Sequence, residues 1–136
     1  MTERATKLGL VVTIVGALLP WVSVPQDFDS SIVVYGKSDS YLIVVASAIA
    51  LILQFIPRVK ASVRYSTAIW TGLVSALFAF SDYRTIRFVR FYNPTKGVHT
   101  NVGVWICILG ALFTSVTGFE RYFDLRVRPR LRPAQP

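Results

Sequence analysis

Four long stretches of the chain carry no charged residue: 8–26, 40–57, 65–81 and 100–119. Each is 17 to 20 residues long and mostly apolar. A helix needs roughly 20 such residues, within a range of about 17–25, to cross the hydrocarbon core of a bilayer. In lipid every backbone polar group has to be satisfied within its own segment, so these runs predict helices. They do not alternate in the manner of transmembrane barrel strands. The expected spans are 6–24, 40–57, 64–82 and 101–121. The fold class that follows is an all-α membrane protein, an up-down four-helix transmembrane bundle over residues 1–125 with a basic, proline-rich cytoplasmic tail at 126–136.

The segments between the runs carry their own patterns. Pro20 lies near the end of the first run, where the missing N–H bends or ends a helix. Arg4 and Lys7 before an apolar stretch resemble a signal peptide, but Trp21 and Pro25 disfavour cleavage, so a retained anchor is expected. Ile32-Val33-Val34-Tyr35 followed by Gly36-Lys37 reads as a short strand and turn, with Val22-Ser23-Val24 as its partner. That predicts a small external β element in loop 1. The stretch from Asp82 to Lys96 reads as a continuation of the third helix. Arg84, Arg87 and Arg90 then form one stripe, with Ile86, Phe88, Val89 and Phe91 on the other side, and Asn93-Pro94 as the stop.

Composition strengthens the membrane reading. The chain is 53% hydrophobic and 16% charged, with a mean hydropathy of +0.50. A soluble domain carries about a quarter charged residues. The net charge of +8 flanks the apolar runs. With the N-terminus inside, the inner segments hold ten Lys and Arg and the outer loops five (Lys37, Arg84, Arg87, Arg90 and Lys96). Positive charge concentrates on the cytoplasmic side, so an N-in, C-in chain in the plasma membrane is expected. Trp21, Tyr41, Tyr65, Trp105 and Tyr122 fall near span ends, as interfacial aromatic belts do. Membrane flanks account for the charge, and no nucleic-acid partner is expected.

Small residues recur every fourth position: Gly9, Thr13 and Ala17; Ala46 and Ala50; Ala68, Gly72 and Ala76; Gly110, Thr114 and Gly118. Such rows let helix backbones approach closely, within the bundle or between copies of the chain.

The search for catalytic chemistry finds little. No charge lies inside a span, and the nearest polar group is Gln54, near an end, which counts against a coupled transporter. One His (His99) and one Cys (Cys107) cannot assemble a His/Cys metal cluster or a pair of axial haem ligands, so no metal or cofactor is expected. No HExxH, GxSxG or P-loop pattern occurs. Asp27, Asp29, Asp39 and Asp82 read as loop charges at the outer surface. The expectation is therefore non-enzymatic. The candidate lipid- or partner-binding residues are Arg84, Arg87 and Arg90, with Arg126, Arg128, Arg130 and Arg132 in the tail, where basic groups meet anionic headgroups. The expected role is a small integral subunit or scaffold that contacts anionic lipids, other membrane proteins or further copies of itself. The alternative is an oligomeric channel or carrier lined by Thr, Ser and Gln.

Leu19-Pro20-Trp21 closes the first run; Gly103-Val104-Trp105 opens the fourth, followed by Leu109-Gly110-Ala111. In this the chain resembles small, largely uncharacterised prokaryotic four-span membrane proteins with an LPW motif near the outer end of the first helix. The resemblance implies the fold and a membrane location, and no activity.

Overall fold

A computed structural model describes residues 2–23, 31–92, 97 and 99–126. Four helices run alternately up and down: α1 (Thr2–Leu18), α2 (Ser31–Phe55), α3 (Ala61–Tyr92) and α4 (Val102–Arg126). Two short strands, β1 (Val22–Ser23) and β2 (His99–Thr100), join the α1 end to the α4 start. The chain is thus an all-α bundle. Among the described residues, α4 is the one helix long and apolar enough to cross a membrane by length and composition. α1, at 17 residues, and the apolar part of α2, Asp39–Phe55, are shorter.

Several elements depart from expectation. α1 ends at Leu18, because Pro20 has no N–H to continue the ladder. The segment expected as a strand at 32–35 is helical and forms the first turns of α2. β-branched residues lower helix propensity only slightly, and the cooperative extension of a long helix overrides that preference. β1 does exist, but its partner comes from the third loop: Val22 pairs with Thr100 and Ser23 with His99, antiparallel. A further bond from Asn101 N–H to Trp21 C=O, 2.8 Å, extends the ladder. Gly97, at φ 64°, provides the left-handed turn just before β2. α3 continues through the arginine stretch to Tyr92; the expected stop at Asn93-Pro94 lies outside the described residues. α4 runs to Arg126, past the expected span limit, and Arg128, Arg130 and Arg132 lie outside the described residues.

α4 is the central helix, packed antiparallel against both α1 and α3. The α1–α4 crossing is a backbone-to-backbone contact. A Cβ placed on Gly16 would sit 2.6 Å from Cys107 Cα, and one on Gly110 would sit 2.7 Å from Thr13 N. At Gly9 it would meet Thr114 Oγ1 at 2.5 Å. On the other flank, a Cβ on Gly72 would meet the Ala111 carbonyl oxygen at 2.5 Å, and Gly118 faces Ile69 and Tyr65 of α3. Ala17 and Ala76 are buried beside these glycines. Gly16 does not belong to the every-fourth-residue rows, yet it makes the closest of these approaches.

The interior is built mainly of small residues (Ala, Gly, Ser and Thr), with a few larger apolar side chains such as Leu10, Tyr65 and Ile86. Its apolar cluster is small: Ala17, Trp21, Ile43, Ala79, Val104, Cys107 and Ile108, near the β end. Thr6, Thr13, Ser47, Ser75, Thr114, Ser115 and Thr117 are buried elsewhere. Most of these hydroxyls bond to their own helix, as Thr13 does to Gly9 C=O and Thr114 to Gly110 C=O, both 2.8 Å. Thr6 Oγ1 donates across the interface to Thr117 Oγ1 at 3.2 Å. Large apolar side chains point outward instead, among them Trp70 at 65% exposed, Leu77 at 69% and Leu109 at 65%. Replacing Thr117 with Val should lower stability modestly, by about 0.5–1.5 kcal/mol, the net contribution of one intramolecular hydrogen bond. A chemical or thermal unfolding curve checks this.

Trp21 and Tyr65 are buried rather than interfacial, at 6% and 3% exposed. Trp21 Nε1 donates to Gly16 C=O at 2.9 Å, so the indole caps the tight end of α1. Tyr41 and Trp105 are exposed and Tyr122 is half-buried.

Candidate functional site

Both ends of the bundle carry polar groups that the apolar helices bring together. At the end holding the N-terminus, all four helices contribute. Gln54, at the end of α2, and Arg64, in the first turn of α3, lock the α2–α3 connection reciprocally. Gln54 Nε2 donates to Arg64 C=O at 2.9 Å, and Arg64 Nη1 donates to Gln54 C=O at 3.3 Å. Gln54 is 1% exposed, and its Oε1 accepts no hydrogen bond. The Nε–H groups of Arg64 and of Arg121, on α4, are likewise buried without an acceptor. Glu3 and Lys7 of α1 complete the junction, paired at 2.9 Å. Lys7 also lies over the Phe55 ring, 4.5 Å from its centroid. The Lys7 hydrogen bond holds the Glu3 carboxyl below its ordinary value; the Lys7 charge and the fields of Arg64 and Arg121 act in the same sense, against a small opposing effect of burial. Both arginines therefore act on Glu3, but neither is ion-paired to it. One carboxylate faces three cations.

At the opposite end, the carboxyl groups of Asp82 of α3 and Asp39 of α2 lie within electrostatic reach of each other. Two carboxyl groups brought together repel while both are ionised. Asp82 Oδ2 is buried without a partner. Asp82→Asn should keep this contact through its amide donor and leave the melting temperature within a few degrees of wild type. Asp82→Ala should remove it and lower the melting temperature. Tyr83 packs on Trp105 at 4.8 Å between centroids, closing the same end. Asp27 and Asp29 lie outside the described residues, so the outer carboxylates come together here as one pair. Among the described residues no group of three or more His, Cys, Asp or Glu side chains could hold a metal.

An apolar groove of about 420 Å³ runs between α2 and α3, lined by Leu42, Ile43 and Ala46 on one side and Trp70, Val74 and Phe78 on the other. Asp39 and Asp82 lie one turn beyond the groove's end away from the N-terminus, while Gln54 and Arg64 lie on the same two helices toward the N-terminal end.

No family model, curated protein or solved structure matches the chain.

Arg84, Arg87 and Arg90 are exposed, on the C-terminal part of α3. The expected separation of arginines from aromatics does not hold: Ile86 turns inward at 6% exposed, whereas Phe88, Phe91 and Tyr92 share the exposed arc with the arginines. Phe88 and Phe91 both pack on Tyr92, at 4.4 and 5.4 Å between centroids. Arg126 is exposed and stacks over Tyr122 at 5.6 Å. The basic junction was not legible as a site. Arg64 and Arg121 count only as flanking charges in the sequence, and Gln54 only as a polar residue near a span end. The signal available was that all three fall on the inner margins of neighbouring runs.

Proposed function

We propose that the protein is a multi-pass integral membrane protein of four spans, with both termini on the cytoplasmic side of the plasma membrane. It acts without catalysis as a small subunit or scaffold that contacts anionic lipids and other membrane proteins. The observation that supports this reading is the distribution of side chains. Small residues (Ala, Gly, Ser and Thr) make up most of the interior, beside a few larger groups such as Leu10, Trp21, Ile43 and Tyr65, while many Leu, Phe, Trp and Val side chains are exposed along the described parts of all four helices. A monomer in water rarely exposes contiguous apolar patches beyond a few hundred Å². In lipid, packing of small residues and interhelical hydrogen bonds holds helices together, and large apolar side chains face the acyl chains.

The arginine stretch fits the same frame. At about 1.5 Å per residue α3 is about 48 Å long, against a hydrocarbon core of about 30 Å. Its surplus carries Arg84, Arg87, Arg90, Phe88, Phe91 and Tyr92, a mixture suited to headgroup phosphates and the acyl boundary. Replacing the three arginines with Gln should weaken binding to anionic vesicles and co-purification of membrane partners at least several-fold, without loss of the fold. Unchanged lipid retention and assembly in the triple variant would remove the basis for assigning these residues a binding role.

A further inference from the structure

The C-terminal end of α3 carries a cluster that the bundle does not use. Ile86 turns inward at 6% exposed and fixes the rotation of this part of the helix. Phe88, Phe91 and Tyr92 are 61%, 78% and 64% exposed. Phe88 and Phe91 both pack on Tyr92, so the three rings form one patch. Arg87 stands one turn from Phe91 and Arg90 directly beside it, and both arginines are exposed. Among the described residues neither is ion-paired to a carboxylate. No Asp or Glu occurs between Tyr83 and Phe119.

In the membrane reading, the tip of this patch stands beyond the lipid. The bilayer boundary on α3 is marked by Asp82, near Asp39 of α2, and by Tyr83, which packs on Trp105 of α4. Carboxylates and interfacial Trp and Tyr rings stand where hydrocarbon ends. At about 1.5 Å per residue, Phe91 lies about 12 Å past Tyr83 and Tyr92 about 14 Å. The headgroup layer is about 5–8 Å deep on each side, and a helix tilt of about 40° still leaves Phe91 about 9 Å out. Arg84 therefore lies at headgroup level, whereas Phe91 and Tyr92 reach water.

Aromatic rings held in water beside unopposed guanidinium groups have the composition of the centre of a protein interface, where Tyr, Phe and Arg are enriched. A second copy meeting the same face would bring arginine against arginine. The complement of the patch is a protein surface with an apolar hollow and carboxylates at its edge.

We propose that the C-terminal end of α3 docks an acidic segment of a protein that lies outside the bilayer, with Phe88, Phe91 and Tyr92 in its apolar hollow and Arg87 and Arg90 on its carboxylates. The proposal rests on the membrane reading above. It narrows the lipid contact of this stretch to Arg84 and gives the protein partner a chemical class.

The test is photo-crosslinking of the full chain in the membranes of its own cells. Phe91→p-benzoylphenylalanine places the probe in the patch. Leu77→p-benzoylphenylalanine, at an outward position about 9 Å on the other side of Tyr83, is the lipid-facing control. The probe at 91 should join a second protein, at a peptide rich in Asp and Glu when the adduct is mapped by mass spectrometry. The probe at 77 should join lipid. Arg87→Gln with Arg90→Gln should lower the protein adduct at least tenfold and leave the lipid adduct at 77 unchanged, which reports a chain still inserted. Lipid adducts at 91 overturn the proposal in favour of a headgroup anchor. Adducts to a second copy of the chain overturn it in favour of self-association. It is also overturned by the absence of any protein adduct, by one that maps to a peptide without carboxylates, or by one that the double variant leaves unchanged. Absence of lipid adducts at 77 contradicts the membrane reading itself, a separate result.

Discussion

Gly16→Leu should abolish the folded bundle. The α1–α4 crossing brings the Gly16 Cα against the Cys107 backbone, and a Cβ there would lie 2.6 Å from Cys107 Cα. No side-chain rotation relieves this contact, because the obstructing atoms belong to the main chain of the central helix. Overpacking a core ordinarily costs about 1–3 kcal/mol where side chains can give. Here the helices must separate, which also breaks the Thr6–Thr117 bond and the close fits at Gly9 and Gly110. The Trp21 indole, which donates to Gly16 C=O, would lose its seat as well. The expected result is loss of the monodisperse peak on size exclusion in mild detergent and of a cooperative thermal transition. Leu109→Ala, on the outward face of the same central helix, is the control and should leave both intact.

Leu109→Arg should prevent stable insertion of α4. Leu109 is 65% exposed and lies near the middle of the uncharged stretch 101–119 that opens α4. In water an exposed Leu→Arg exchange changes stability by about 0.5 kcal/mol or less. At the centre of a membrane helix, arginine costs about 2.5–3.5 kcal/mol on the insertion scale. The two environments thus predict opposite outcomes for one substitution. In the membrane reading the variant fails to accumulate in the membrane fraction and is degraded, whereas Leu109→Phe accumulates normally. Leu77→Arg on α3, another outward position, should behave similarly.

Much of the architecture was legible because it follows from backbone satisfaction. Four uncharged runs became four helices, and the arginine stretch continued the third of them. The every-fourth-residue positions Gly9, Gly72, Gly110 and Gly118 lie at helix contacts for the same local reason: a side chain absent every turn leaves a groove. What the sequence concealed depends on pairing at a distance. Residues 32–35 read as a strand from their β-branched run, yet they belong to a helix whose other end is fixed by packing. β1 found its partner at His99–Thr100, far along the chain, because the α1–α4 crossing brings those ends together. Trp21 reads as an interfacial anchor until the Gly16 carbonyl that accepts its N–H is known. Arg64 and Gln54 become a pair only when two helix ends converge, and Asp39 comes near Asp82 for the same reason.

The claim on which the rest depends is that the exposed apolar surface faces lipid. Alkaline carbonate extraction of membranes from cells producing the full chain tests it most directly, since the wash strips peripheral proteins and leaves spanning ones. The account predicts that the protein stays in the membrane pellet and is released by detergent. Recovery of a folded, monodisperse protein in the carbonate supernatant or the initial soluble fraction would contradict it.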